Sequence, residues 1–291
     1  MPDGSPQSLA IACSAGGFKG VYVHGVLSAL EEAGVYADGY AAASSSVFPA
    51  IGAALREANE IGLRYWRSAL HTLQQPGNGM SEVVLHSIAE SSQPLHNFLL
   101  QPDMARFFIA TSAVVTAEGA EQTQGDGARR LGRRLLVSAA RGDSSWARQH
   151  LRKHVFDSAA TNEAYRLTSE NIEAVMYAST RMLHAWTIPA TIAGQAFIDA
   201  SYTCACPAIE MAQEGYKTVI AIATEVGPLY RDIFGSTQIP DRWGDTPIHI
   251  IRPAQDLAKL GTDFTEVTDD GLVVVYEHGK EQGRAFLQTN V

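Results

Sequence analysis

Three consecutive serines at residues 44–46 lie between the small apolar run GYAAA and the apolar segment VFPAIGAAL. A serine on a sharp strand-to-helix turn holds its hydroxyl outward, and this geometry is that of a nucleophile elbow. With the elbow pattern placed on residues 43–47, Ser45 is the candidate nucleophile, and Ala43 and Val47 occupy the two glycine positions. Two alternatives remain: Ser44 or Ser46 could carry the reacting hydroxyl, or the serines could simply cap the helix.

A glycine-containing segment, SAGGFKG at residues 14–20, lies between a predicted strand and a predicted helix. The backbone N–H groups of such a loop and the positive end of the helix dipole favour binding of an anion. That anion is either a phosphate or the oxyanion of an acyl-transfer intermediate. Neither of the common glycine-rich phosphate motifs fits this loop. Lys19 either fixes the loop or is a solvated lysine.

Short apolar strands alternate with helices along most of the chain. This alternation predicts an α/β protein with a mainly parallel central sheet covered on both faces, a three-layer α/β/α architecture. Helices are predicted at 20–34, 47–66 and 207–216. Strands are predicted at 8–14, 39–43, 106–112, 195–201, 218–224 and 247–253.

The segment 118–156 departs from this alternation, and we expect it to form a lid or insertion. It opens with the polar stretch AEGAEQTQGDG, which predicts a loop. Arginines interleaved with leucines follow. Their face is either solvated, in contact with anionic lipid head groups, or docked on an acidic partner such as an acyl carrier protein or an anionic cofactor-bound acyl donor. The arginines concerned are Arg129, Arg130, Arg133 and Arg134.

The order of these features resembles the patatin-like phospholipase family over nearly the whole chain. The family's glycine loop corresponds to residues 15–20, its serine elbow to residues 43–47, and its Asp-Gly-Gly or Asp-Gly-Ala motif to residues 199–201. Residues 171–180 and the C-terminal part of the chain are also similar to bacterial members. Alanine, valine or serine replaces a motif glycine at Ala15, Ala43, Val47, Ala200 and Ser201.

The resemblance implies a Ser–Asp dyad with no histidine, in which Asp199 accepts the Ser45 proton as the hydroxyl attacks an acyl carbonyl. It implies an oxyanion hole made by the backbone N–H groups of Gly16, Gly17 and Phe18. It implies neither a cofactor nor a metal ion. The expected function is that of a serine acyl hydrolase or acyltransferase acting on an ester or thioester of an apolar acyl group.

Other functions fit the same residues. A histidine-dependent triad is the competing mechanism, and His184 is the histidine that precedes the Asp199 strand most closely. We therefore count His184, with Lys19, Ser44 and Ser46, among the candidate substrate-site residues. The altered loops could specialise the chain for acyl transfer or condensation on carrier- or CoA-bound thioesters. They could also leave a degenerate patatin fold that only binds, although retention of the serine and aspartate favours an enzyme.

The composition limits the remaining classes of function. The 291 residues are 46% hydrophobic, which is ample for a core, and we expect a single domain over residues 1–291. The net charge of -9 argues against nucleic-acid binding. Three cysteines without a C-x-x-C pair indicate buried thiols rather than disulfides or a zinc site. With no signal-like start and no span of about 20 apolar residues, we expect a cytoplasmic protein of unknown oligomeric state.

Overall fold

A computed structural model describes residues 8–100 and 104–290, with side chains throughout these ranges except at residues 92–98, 100 and 290. The amino-terminal residues 1–7, used above to exclude a signal peptide, lie outside the described residues. Within these ranges, nine strands form one sheet. They are β1 Leu9–Cys13, β2 Gly39–Ala43, β3 Arg106–Val114, β4 Leu151–Asp157, β5 Thr191–Ile192, β6 Gln195–Ile198, β7 Thr218–Ile222, β8 Arg242–Trp243 and β9 Thr246–Ile251.

Helices flank the sheet. They are α1 Gly20–Glu32, α2 Val47–Ala54, α3 Ala58–Gln74, α4 Met80–Leu100, α5 Ala117–Gln124, α6 Ala128–Ala140, α7 Ser145–His150, α8 Ile172–Thr180, α9 Ala208–Gln213 and α10 Asp269–Asn290. Short 3₁₀ turns occur at Gly17–Lys19, Ser44–Ser46, Glu163–Tyr165, Ala200–Tyr202 and Leu257–Leu260. None of the described helices is both long enough and apolar enough to span a bilayer.

The five central strands run parallel in the order β3-β2-β1-β7-β9. Strands β4 and β6 pair antiparallel with β3, and the short strands β5 and β8 pair antiparallel with β6 and β9. Continuously apolar strands such as LAIAC suit this arrangement, because a parallel sheet is buried on both faces. The predicted three-layer fold with a mainly parallel sheet is confirmed.

Alternate side chains of the central strands face two separate apolar layers, as the two-residue period of a strand requires. Ile11 and Tyr40 belong to the larger cluster, which includes residues of α1, α2, α8 and α10. Ala10 and Ala41 belong to a second cluster, formed mainly with α9. The expectation of buried thiols is also confirmed, since Cys13, Cys204 and Cys206 are buried and free.

Two predictions about individual elements are wrong. The helix predicted over 47–66 is interrupted, because α2 ends at Ala54 and Arg56 adopts a positive φ of 63° before α3 begins. The stretch predicted as a loop at 117–127 contains the helix α5, whose N-cap Thr116 accepts a hydrogen bond from the Gly119 N–H. The segment 118–156 is thus three helices followed by β4, and β4 belongs to the central sheet.

The strand order changes direction at β1, which lies between β2 on one side and β7 on the other. In open parallel sheets, a crevice for ligands forms at the carboxyl ends of strands at such a point. Here the segments after β1 and β7 are joined by a hydrogen bond from Thr224 Oγ1 to the Ala15 carbonyl, 2.6 Å long. The glycine loop and the serine turn leave adjacent strands, β1 and β2, at the same edge of the sheet.

Candidate functional site

Ser44, rather than Ser45, occupies the apex of the turn after β2. It adopts a φ of +56°, a conformation that non-glycine residues rarely take and that is typical of strained functional turns. Its Oγ donates a 2.8 Å hydrogen bond to Asp199 Oδ2. Its backbone N–H donates to Ser179 Oγ at 2.9 Å. The predicted pairing of Ser45 with Asp199 is therefore wrong.

The error is one residue in the register of the elbow. Strand β2 continues to Ala43, which pairs with Ala110 of β3, so the turn begins at Ser44. The elbow pattern consequently falls on residues 42–46, with Ala42 and Ser46 at the two glycine positions. Val47 begins α2 and lies outside the elbow, so its branched side chain does not obstruct the turn.

The other two serines connect the elbow to the glycine loop. Ser45 Oγ donates to the Gly17 carbonyl at 2.7 Å, and Ser46 Oγ donates to the Ser14 carbonyl at 2.6 Å. Ser46 is fully buried, whereas Ser45 is partly exposed. Neither side chain caps α2 with a hydrogen bond to its backbone. Their hydroxyls hold two loops together and are not directed at Asp199.

Asp199 is fully buried directly after β6, and among the described residues each hydrogen bond to its carboxylate comes from a serine. Oδ2 accepts from Ser44, and Oδ1 accepts from both the N–H and the Oγ of Ser201. Burial raises the pKa of the Asp199 carboxyl to about 6, although the bonds from Ser201 and Ser44 lower it. A carboxyl with this pKa can accept a proton near neutral pH, as a general base must.

The predicted oxyanion hole is only partly available. Among the described residues, the N–H groups of Gly16 and Gly17 have no hydrogen-bond partner. The N–H of Phe18, by contrast, donates to the Phe264 carbonyl at 3.0 Å, so the expected role of Phe18 is not met in this conformation. Gly17 has a φ of +57°, and a Cβ there would lie 2.2 Å from the same carbonyl. Phe264 therefore lies directly against the loop.

Lys19 fixes the glycine loop, as one of its two predicted roles requires. It is only 8% exposed, and its Nζ lies 2.8 Å from Glu225 Oε1 and 3.1 Å from Asp263 Oδ1. Burial lowers the pKa of Lys19, but hydrogen bonds and charges from the two carboxylates outweigh it and leave the pKa above its ordinary value. We call residues 262–267, closed by a bridge between Thr262 and Val267, the strap. Lys19 and Phe18 both attach the strap to the glycine loop.

The described histidines form no hydrogen bond with Ser44 or Asp199, so the predicted alternative triad has no histidine in place. His184 lies with its ring centre 5.5 Å from that of Phe264, and its buried Nδ1 has no partner among the described residues. Burial and the nearby arginines of α6 lower the pKa of His184. His96 lies outside the residues whose side chains are described.

A cavity of about 760 Å³ adjoins the dyad. Gly16 and Ser201 lie in its wall, so it reaches the candidate oxyanion donors and the serine that supports Asp199. Ser44 is only 1% exposed and does not line the cavity. His184 does, and the remaining wall is mostly apolar, including Leu136 of α6, Met182, Leu229, Ile233, Phe234 and Phe264.

Sequence reasoning missed three residues that position the Ser44–Asp199 pair, since Ser201 and Arg181 bond Asp199 and Ser179 accepts from the Ser44 N–H. Ser201 follows the aspartate by two residues, the spacing at which an Asp side chain commonly accepts from the backbone, and this signal was available. Ser179 and Arg181 are buried at the end of α8, and the Arg181 carbonyl accepts the Asp199 N–H at 3.0 Å. The Arg181 side chain donates to the carbonyls of Ile188 and Thr123. No local pattern indicates these tertiary contacts.

The described residues contain no group of three or more His, Cys, Asp or Glu side chains arranged to hold a metal ion. No model of a known protein family matches the sequence, and no curated protein matches it either.

We expect Asp199→Asn to stabilise the protein at about pH 8. The pKa of Asp199 is raised to about 6 in the folded state, against about 4 in an unfolded chain. Between these values the folded state binds a proton that the unfolded state has lost, so the free energy of unfolding decreases as the pH rises through this window. Removing the charge should raise that free energy by about 1–3 kcal/mol at pH 8.

Urea denaturation of wild type and variant, at about pH 8 and again at about pH 4, measures this difference. The gain should largely disappear at the lower pH, where the carboxyl is protonated in the folded protein. Asp126→Asn, at an exposed position, is the matched control and should change stability by no more than about 0.5 kcal/mol. If Asp199→Asn is less stable than wild type at the higher pH, the prediction that the buried charge of Asp199 lowers the free energy of unfolding is wrong.

We expect Lys19→Met to loosen the strap over the glycine loop. The variant loses ion pairs to two half-exposed carboxylates, a loss of about 1 kcal/mol. Because the Phe18 N–H is held by the strap, its hydrogen exchange should accelerate about fivefold, the factor equivalent to that energy. Mass spectrometry of the exchanged protein measures the rate, with the exposed Lys259→Met as control. An unchanged exchange rate at the Phe18 N–H would show that Lys19 does not hold the strap against the glycine loop.

Proposed function

We propose that the chain is a serine acyl hydrolase or acyltransferase in which Ser44 is the nucleophile and Asp199 the general base. The observation that carries the proposal is the 2.8 Å hydrogen bond from Ser44 Oγ to Asp199 Oδ2, made by a serine with positive φ on a strand-to-helix turn. A surface serine that caps a helix needs neither a buried carboxylate nor a strained backbone. The resemblance of the three motifs to patatin-like phospholipases supports the same chemistry.

In the proposed reaction, Ser44 Oγ attacks the carbonyl carbon of an acyl ester or thioester while Asp199 takes the hydroxyl proton. The tetrahedral intermediate collapses, the leaving group departs with the proton held by Asp199, and an acyl-enzyme remains on Ser44. Asp199 then accepts a proton from water, or from another acceptor, as that nucleophile opens the acyl-enzyme. Hydrolysis and transfer differ only in this second nucleophile.

The developing oxyanion would be bound by the N–H groups of Gly16 and Gly17, which lack other partners among the described residues. The contribution of one such donor is typically about 3–4 kcal/mol. The apolar cavity beside Gly16 and Ser201 suits the acyl chain, since ligand sites combine apolar walls with a few placed polar groups. These features support an apolar acyl group as the substrate class.

Ser44 is inaccessible in the present conformation, and the strap lies against the neighbouring glycine loop. Ser44 is 1% exposed, and Phe264 both lines the cavity and occupies the Phe18 N–H. Because Phe264 lines the cavity and lies against Gly17, we propose that substrate entry is accompanied by movement of Phe264 away from the glycine loop. That movement would also release the Phe18 N–H as a further oxyanion donor, so access and electrostatic stabilisation would arise together.

Two other functions from the sequence remain as alternatives, and simple assays separate them. A screen of p-nitrophenyl esters against acyl thioesters, with Asp199→Asn as the inactive control, distinguishes an esterase from an enzyme specialised for thioester donors. A degenerate binding protein would turn over neither class. The intact Ser44–Asp199 contact favours the enzyme over the binding protein, because a site without chemistry gains nothing from a buried carboxylate.

We expect fluorophosphonate labelling to depend on Ser44 alone. Ser44→Ala removes the nucleophile and should abolish labelling, whereas Ser45→Ala and Ser46→Ala should retain it at a reduced rate because their hydroxyls only brace the glycine loop. Tandem mass spectrometry of the labelled peptide locates the adduct among the three serines. Labelling that persists in Ser44→Ala and is lost in Ser45→Ala would overturn the assignment, and an unlabelled wild type would overturn the proposed function.

We expect the labelling rate to fall on the acid side of about pH 6, by about tenfold per pH unit, because only ionised Asp199 can accept the Ser44 proton. The hydrogen bond from Ser201 Oγ stabilises the ionised carboxylate, so its loss in Ser201→Ala should raise the pKa of Asp199. The acid limb of the profile should then move to higher pH. Ser169→Ala, in the loop before α8, is the control and should leave the profile in place. Coincident profiles for wild type and Ser201→Ala contradict the role of Ser201.

A further inference from the structure

The helix α6 carries a cationic surface that the fold leaves without counter-charges. We call Arg129, Arg130, Arg133 and Arg134 the arginine face. All four side chains are exposed, and among the described residues none of them forms an ion pair with a carboxylate. Arg129 donates only to the His184 carbonyl, at 3.4 Å. In a chain with a net charge of -9, this concentration of positive charge is a local exception.

The arginine face is unfavourable for the helix that carries it. The arginines lie in the first two turns, where the positive end of the helix dipole disfavours cations, and the first turn of α6 contains no acidic residue. Arg129 and Arg133 are four residues apart, as are Arg130 and Arg134, so each pair places like charges on neighbouring turns. A cluster that opposes local stability indicates a role outside folding.

The fold holds the arginine face in a fixed place beside the candidate active site. A Cβ at Gly132 would lie 2.3 Å from the His184 backbone nitrogen, so α6 is packed closely against that segment. Leu131 and Leu135 are buried, which commits the apolar side of the helix to the core. The arginines consequently point away from the core, and Arg129 contacts the carbonyl of His184, which lines the cavity.

Exposed apolar side chains continue from the arginine face around the same cavity. We call Leu136, Val137, Val226 and Tyr230 the apolar rim. They are 37%, 53%, 45% and 40% exposed, and all but Val137 line the cavity. Grouped exposed apolar residues of this kind mark interaction surfaces in soluble proteins. Charge and apolar surface therefore meet at the entrance of the proposed acyl-binding cavity.

We propose that the arginine face and the apolar rim together bind the surface of an anionic lipid bilayer. A bilayer supplies both complements, negatively charged head groups for the arginines and an apolar interior for the rim. An acidic protein would match the arginines but would have to present apolar side chains at the matching position for the rim, whereas any anionic bilayer supplies both. Docking in this way places the cavity entrance against the lipid. The proposal requires binding only, so it does not depend on the proposed catalytic function.

Sedimentation with lipid vesicles tests the proposal on the full chain. Wild type should bind vesicles of phosphatidylcholine with phosphatidylglycerol, should bind pure phosphatidylcholine far less, and should dissociate as salt is raised. Substituting the arginine face by R129Q, R130Q, R133Q and R134Q together should weaken partitioning by about 600-fold, given about fivefold per arginine at the surface. Val137→Ser with Val226→Ser should weaken it less, by about tenfold.

A second quadruple variant, with R56Q, R64Q, R166Q and R242Q, removes the same charge from exposed arginines elsewhere and should bind as wild type does. Circular dichroism melts of all variants establish that each is folded. Equal loss in the two quadruple variants, or no binding of wild type to anionic vesicles, overturns the proposal. Binding that the rim variant leaves unchanged and that polyglutamate competes away also overturns it, in favour of an acidic protein partner.

Discussion

The structure around the site is built on a carboxyl group, that of Asp199, which is fully buried and surrounded by hydrogen-bond donors. Burial of an unpaired charge costs several kcal/mol, so the group persists only where donors surround it. Those donors come from Ser44, 155 residues away in sequence, and from Ser201, two residues away. Strand β3 makes the distant contact possible, since it pairs with β2, which precedes Ser44, and with β6, which precedes Asp199. The pairing of β2 and β6 with β3 therefore determines whether Ser44 can reach the Asp199 carboxylate.

The fold could be predicted largely from the sequence, but the register of the elbow could not. Continuous apolar runs defined the parallel strands, and the predicted strand at 39–43 is confirmed without change. Which serine follows that strand at the apex is a tertiary property, because three adjacent serines have the same local preferences. The glycines that normally mark the elbow are replaced by Ala42 and Ser46. Only the position of Asp199 against Ser44 distinguishes the three hydroxyls.

Other predictions from the sequence were wrong or incomplete where tertiary packing outweighs local composition. The stretch after Thr116 contains glycines and glutamines that favour a loop, but a capped first turn and a buried Thr123 make it helical. Strand β4, LRKHVFD, was not predicted, because polar side chains occupy its partly exposed positions and interrupt the apolar pattern of a strand. The strap over the glycine loop was equally unpredictable, since it joins residues 19 and 263, from opposite ends of the chain.

Besides the ion pair of Lys19 with Asp263, a hydrogen bond from the Phe18 N–H to the Phe264 carbonyl joins the strap to the glycine loop, and this bond is made entirely by main-chain atoms. Replacement of either side chain leaves both atoms in the polypeptide, except that proline at position 18 would remove the N–H. Other exchanges at these two positions do not by themselves delete the bond. A gained or lost residue between Thr262 and Val267 would displace the carbonyl. Surface loops usually vary freely in length as proteins diverge. For this main-chain bond we expect the opposite: it should tolerate most side-chain changes at residues 18 and 264 but not changes in the length of the strap.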